Sequence, residues 1–207
     1  MRRKKRDSLE GQVLITFVTA LLVLVAFAGL AVDSIGAWRV GQMQLDALQS
    51  VKETVMNAQE AIKFGAGHTG DNASVDALES VIREHFSNMK TTSAVGKLEV
   101  QAYELPESQS GLADRYIGVR ISTDGTYKTT IASAVGLVKI PVKNELVFLV
   151  RPYSSRQVWR PTSGAASMSS SYQWRNGVLE GGIAAHSLDW ASLDQDLKDL
   201  LTSATGS

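Results

Sequence analysis

The sequence predicts an α+β chain: a long N-terminal transmembrane helix continuing into an exported domain, with a second helix packed on a small antiparallel sheet. Three observations predict it. Residues Gly11 to Val32 carry no charge and follow the five cations Arg2 to Arg6. Apolar residues then recur at helical spacing from Ile35 to Ile62 and again from Val75 to Met89. From Leu98 onward the period changes to two, the signature of half-buried strands.

The apolar run comes first. As a helix it spans about 33 Å, enough to cross a hydrocarbon core of about 30 Å. Thirteen residues between Val13 and Val32 are Leu, Ile, Val or Phe, and together they favour insertion by about 4–8 kcal/mol before polar terms. No small-x-small site closes the run, so a retained anchor is expected over a removable signal. The run is apolar on all faces, unlike the one-sided helix of a soluble core. The basic leader, residues 1–11, should stay in the cytoplasm. The span is then 12–33, with everything after it outside the cytoplasmic membrane.

No turn signal ends the span. Ile35, Trp38, Leu45, Leu48, Val51, Val55, Ala58 and Ile62 continue as one apolar stripe. Arg39, Gln42, Asp46, Gln49, Lys52, Glu53, Asn57 and Glu60 fill the opposite face. The spacing predicts one helix from about Gln12 to Phe64, stopped by the glycines Gly65, Gly67 and Gly70. Gly36 and Gly41 weaken its middle, and a bend near the membrane exit is expected there. A second helix follows, N-capped by Ser74, with Val75, Leu78, Val81, Ile82, His85, Phe86 and Met89 on its apolar side.

Three to five strands come next. Leu98, Val100 and Ala102 alternate with polar neighbours, as do Ile117, Val119 and Ile121. Asp124-Gly125 reads as a hairpin turn, with the chain returning over Tyr127 to Ile131. Leu146 to Arg151 forms a last strand. Leu137 to Val142 forms another, placed at an edge or bulge by Pro141. The exported α+β domain is therefore 34–151. From Pro152 to about His186, Ser and Gly dominate, which predicts a long loop or tail. Within it Trp159 and Trp174 read as loosely docked aromatics or as anchors for a partner surface. Leu188, Leu193, Leu197, Leu200 and Leu201 predict a short amphipathic C-terminal helix, so 152–207 is a Ser/Gly-rich tail with a helix at its end.

Charge and chemistry narrow the function. Net charge is zero overall, but the first eleven residues carry +3 and the remainder −3. That polarity suits a bitopic protein and argues against a nucleic-acid partner. The chain has no cysteine, which excludes disulfides and thiolate metal sites. Its three histidines, His68, His85 and His186, stand in no metal-ligand spacing. His85, on the apolar side of its helix, reads as a satisfied boundary histidine. No Gly-x-Ser-x-Gly elbow or phosphate loop occurs. The Gly65–Gly70 glycines follow a helix and not a strand, which rules out a dinucleotide fingerprint. Asn72-Ala73-Ser74 matches a glycosylation sequon, a tripeptide common by chance. The sequence offers no catalytic residue, no cofactor site and no metal site, and a non-enzyme is expected.

Gly11-Gln12-Val13-Leu14-Ile15, then Ala28-Gly29-Leu30-Ala31-Val32-Asp33, Trp38 and Gln44-Leu45 together carry a likeness. This segment resembles the N-terminus of TadE/TadG-like proteins of the tight-adherence (Flp) pilus assembly systems, and more broadly that of type IV pilins. The likeness covers about residues 11–50. It implies a minor pilin-like or assembly component in the cytoplasmic membrane, partnered by other pilus subunits or assembly-platform proteins and able to be incorporated in a pilus. It implies a processing site at Gly11 and Gln12 for a prepilin peptidase, close helix approach at Gly29, and positioning at the outer interface by Asp33 and Trp38. Thr16 stands where processed pilins carry Glu, so an uncleaved anchor is expected. TadG-like proteins often add a large metal-binding adhesion domain, for which this chain is too short. Two alternatives remain: a stand-alone bitopic membrane protein with an extracytoplasmic binding domain, and a type II secretion pseudopilin.

Overall fold

The computed structural model describes residues 3–63, 65–88, 95–105, 116–150, 166–175 and 177–205. The fold is α+β. Helix α1 runs unbroken over Arg3–Asn57, followed by the short α2, Gln59–Lys63, and by α3, Ala73–Asn88. Strands β1 (Lys97–Leu105), β2 (Tyr116–Lys128), β3 (Lys139–Val150), β4 (Ser167–Arg175) and β5 (Val178–Ala185) form one sheet in the order β3-β2-β1-β4-β5. Helix α4, Gln195–Thr205, closes the described chain. Two compact units result: residues 1–40 with 126–142, and residues 41–125 with 143–207.

The second unit holds the main core. β1 pairs antiparallel with β2, Val100 opposite Ile121 and Ala102 opposite Val119, and with β4, Leu98 opposite Tyr172 and Ala102 opposite Met168. The two-residue period sends Leu98, Val100, Ala102, Ile121 and Tyr172 to one face. Leu48, Val51 and Val55 of α1 cover that face together with Val75, Leu78, Ile82 and Phe86 of α3, all of them buried. The stripe expected on the watery half of α1 is thus packed from Leu48 to Val55. Gly65 stops the helical run. It has φ +58°, and a Cβ there would stand 2.6 Å from Ala73 Cβ, so only glycine makes this turn.

The opposite face carries a smaller core. Tyr103 and Leu105 meet Leu193, Leu197 and Leu201, with Val147 and Leu149 at the margin. Gly118 lets α4 approach: a Cβ there would lie 2.8 Å from Leu197 Cδ1 and 2.9 Å from Leu201 Cδ2. The expected C-terminal amphipathic helix docks on the sheet through these leucines.

Several sequence expectations need correction. Residues 167–175 and 178–185, read as part of a Ser/Gly-rich tail, form β4 and β5, and β4 is an interior strand. Backbone ladder bonds hold it whatever its side chains, and Met168, Ser170, Tyr172 and Trp174 turn to the face covered by α1 and α3, where Trp174, expected as a loosely docked aromatic or a partner anchor, packs against the main core. Gly181 is required beside it, because a Cβ there would overlap the Ser171 carbonyl oxygen. The sheet therefore draws strands from both sides of the boundary placed at 151/152. Residues 152–165, Trp159 among them, lie outside the described residues, as do Phe64 and Met89.

Asp124-Gly125 is no turn; β2 runs straight through it to Lys128. The reversal is a 3-10 turn at Ala132–Val135 closed by Gly136 at φ 91°. Residues 137–142 and 146–151 were expected as two strands and are largely one, β3, with Pro141 inside it. Ser74 lies inside α3 and does not cap it; its hydroxyl donates to buried Glu104 at 2.7 Å.

Candidate functional site

The first unit contains helix residues up to Val40 and the hairpin tip 126–142. Gly29, Asp33 and Gly36 lie at i, i+4 and i+7, which puts them on one face of α1. The hairpin tip takes that face. A Cβ on Gly29 would overlap Ile131 Cγ2, and one on Gly36 would overlap the Tyr127 hydroxyl. Glycine at both positions lets the tip approach the helix backbone.

Asp33 sits between them, fully buried. Its Oδ1 accepts from the Thr130 backbone N–H at 2.9 Å and from the Tyr127 hydroxyl at 3.3 Å. Its Oδ2 accepts from the N–H groups of Ile131 at 3.0 Å and Ala132 at 2.6 Å. Three successive amides and a phenol thus form a concave anion nest around one carboxylate. Each oxygen receives two donors, which fills the carboxylate's hydrogen-bonding capacity. A side chain so engaged has no lone pair to spare for a metal or for proton abstraction. Its role is to tie the hairpin to the helix.

The other residues singled out in the sequence stand apart. Trp38 is 65% exposed on α1 and belongs to no part of the nest. Gly11 and Gln12 are helical, and the Gln12 carbonyl accepts from the Thr16 hydroxyl at 2.9 Å. Thr19 likewise donates to Ile15 O at 2.8 Å. The sequence reading missed Tyr127, Thr130, Ile131 and Ala132 as partners of Asp33, and took Gly36 as a weak point when it is a contact. One signal was present: ten residues, Thr129 to Val138, carry no charge between Lys128 and Lys139.

The second unit offers two further polar clusters. His85 lies between Ser50 Oγ (3.2 Å from Nε2) and Thr54 Oγ1 (3.0 Å from Nδ1), and burial pushes its pKa below 6.5. It is a satisfied boundary histidine that links α3 to α1. Tyr172 donates to Glu79, and burial followed by that hydrogen bond raises its pKa. On the face of the sheet that carries α4, a groove of about 430 Å³ includes Lys97, Arg120 and Lys143. These cations pair with Glu99, with Glu145 at 2.7 Å and with Asp124 at 3.1 Å respectively. Among the described residues no group of three or more His, Asp or Glu could hold a metal ion.

No protein-family model, no curated protein and no solved structure matches this chain.

Proposed function

We propose that this chain is a single-pass, membrane-anchored component of a tight-adherence (Flp-type) pilus system, acting through helix packing and protein–protein contacts. The observation that carries the reading is the division of labour along α1. Its apolar stretch is long enough to cross a membrane by length and composition, and its side chains there are almost all exposed. Its second half is buried on a sheet. Pilin-like proteins are built on such a helix, and the Gly-Leu-Ala-Val-Asp segment, residues 29–33, lies at the junction of the two halves.

Two features support a lipid setting for the first half. The hydroxyls of Thr16 and Thr19 bond back to carbonyls of their own helix, so they place no unpaired donor in hydrocarbon. The cation excess of the leader orients the N-terminus inward. A reporter fused after Ser207 should then be active only in an exported compartment; a cytoplasmic signal refutes the topology. Cells deleted for the chain should lose surface pili and regain them with residues 1–207 but not with residues 34–207. Normal piliation in the deletion strain refutes the pilus assignment and leaves the bitopic anchor standing.

A further inference from the structure

We propose that the tip of the β2–β3 hairpin, residues 129–138, inserts into the outer leaflet of the membrane beside α1, as a second and non-spanning anchor. The inference rests on the reading of residues 12–33 as a membrane span. It starts from where the tip touches the helix. Ile131 packs on Gly29, which lies one helical turn inside the charge-free run that ends at Val32. Four residues of helix rise about 6 Å. If the span lies in lipid, the tip that covers Gly29 lies at the depth of its outer end.

The tip has the surface for that depth. Ile131 is 40% exposed, Leu137 41% and Val138 58%. No charge interrupts Thr129 to Val138, and exposed Lys128 and Lys139 flank the stretch on its two strands. Lysines so placed can reach back to headgroups while the residues between them stay apolar.

The tip also pairs seven of its ten backbone N–H groups, and unpaired backbone groups are what keep most loops out of membranes. The N–H groups of Thr130, Ile131 and Ala132 go to Asp33. Those of Thr129, Ala134, Gly136 and Leu137 go to carbonyls of Val138, Ile131, Ser133 and Ala132. The hydroxyls of Thr129 and Ser133 donate to Leu137 O and Thr130 O. Asp33 thereby acquires a specific duty: it satisfies three consecutive amides where water is scarce.

The absence of native cysteine makes the test direct. Full-length protein carrying Val138→Cys, Val23→Cys or Ser203→Cys, each labelled with an environment-sensitive fluorophore, is reconstituted in phosphatidylethanolamine/phosphatidylglycerol vesicles. Spin-labelled lipid and aqueous iodide are the two quenchers. The proposal expects the label at 138 to emit to the blue of that at 203, to lose most of its emission to the lipid quencher, and to resist iodide. Iodide quenching at 138 with lipid quenching at 23 overturns the inference and leaves the span intact. Iodide quenching at both positions overturns the span itself. Protection of 138 from both quenchers means that protein covers the tip, and also overturns the inference. Melting of each labelled variant at the unlabelled chain's temperature shows that the label reports on the folded protein.

Discussion

Replacing Leu48 tests whether the stripe of α1 is what holds the second unit together. Leu48 has no solvent exposure and sits among Val51, Val55 and the sheet. Truncation to Ala removes its transfer free energy and leaves a cavity, which costs about 3 kcal/mol. In a domain of this size each kcal/mol lowers Tm by about 2–4 °C, so Leu48→Ala in a 34–207 fragment should melt about 6–12 °C below the parent. Leu48→Asp adds the cost of taking a carboxylate out of water with no counter-charge provided, a further several kcal/mol. The sum approaches the whole stability of an ordinary domain, about 5–15 kcal/mol. The fragment should therefore lose its cooperative transition by circular dichroism. Gln49→Asp, one residue away on the exposed side, should stay within about 0.5 kcal/mol of the parent. A Leu48→Asp fragment that melts like the parent would refute the helix–sheet core and with it the division of α1 into two halves.

Gly118→Val should push α4 off the sheet, because Leu197 and Leu201 already fill the space a side chain would enter. Hydrogen exchange over 195–205 should rise while β1 stays protected, with about 1–3 kcal/mol lost overall. Tyr172→Phe deprives buried Glu79 of its donor and should cost about 1–3 kcal/mol at neutral pH. The raised pKa of Tyr172 means that the unfolded phenol ionises first, so its contribution is complete below the ordinary value of 10.0 and is lost as pH rises beyond it; alkaline titration of the unfolding midpoint should be flatter in the Phe variant. Asp33→Ala in membranes should expose the amides of Thr130, Ile131 and Ala132 to exchange and leave β1 protected; unchanged exchange would refute the nest. Intact mass of membrane-extracted chain should retain residues 1–11 whether or not the prepilin peptidase is present, since Thr16 occupies the place of the recognised acid; loss of the leader only when the peptidase is present would make the chain a processed pseudopilin.

Where the sequence was legible, one physical pattern acted alone. Period 3.6 from Leu48 to Val55 and period 2 from Leu98 to Ala102 each answer to a single apolar surface, and the structure puts both on the same core. The failures came where local signals competed with tertiary ones. Ser167 to Ser171 has little apolar content, yet an interior strand is held by backbone bonds on both sides and by Tyr172 and Met168 at its inward positions. Asp124-Gly125 has the composition of a hairpin turn, but Asp124 pairs across the ladder with Lys97, and Gly125 is not among the described glycines with positive φ. The real reversal, eleven residues on at Gly136, is closed by a glycine to which the sequence reading gave no role. Asp33 reads locally as the solvated end of an apolar helix, because nothing within a few positions supplies a partner. Its donors arrive from 94 to 99 residues away. Local periodicity has no access to a contact of that range.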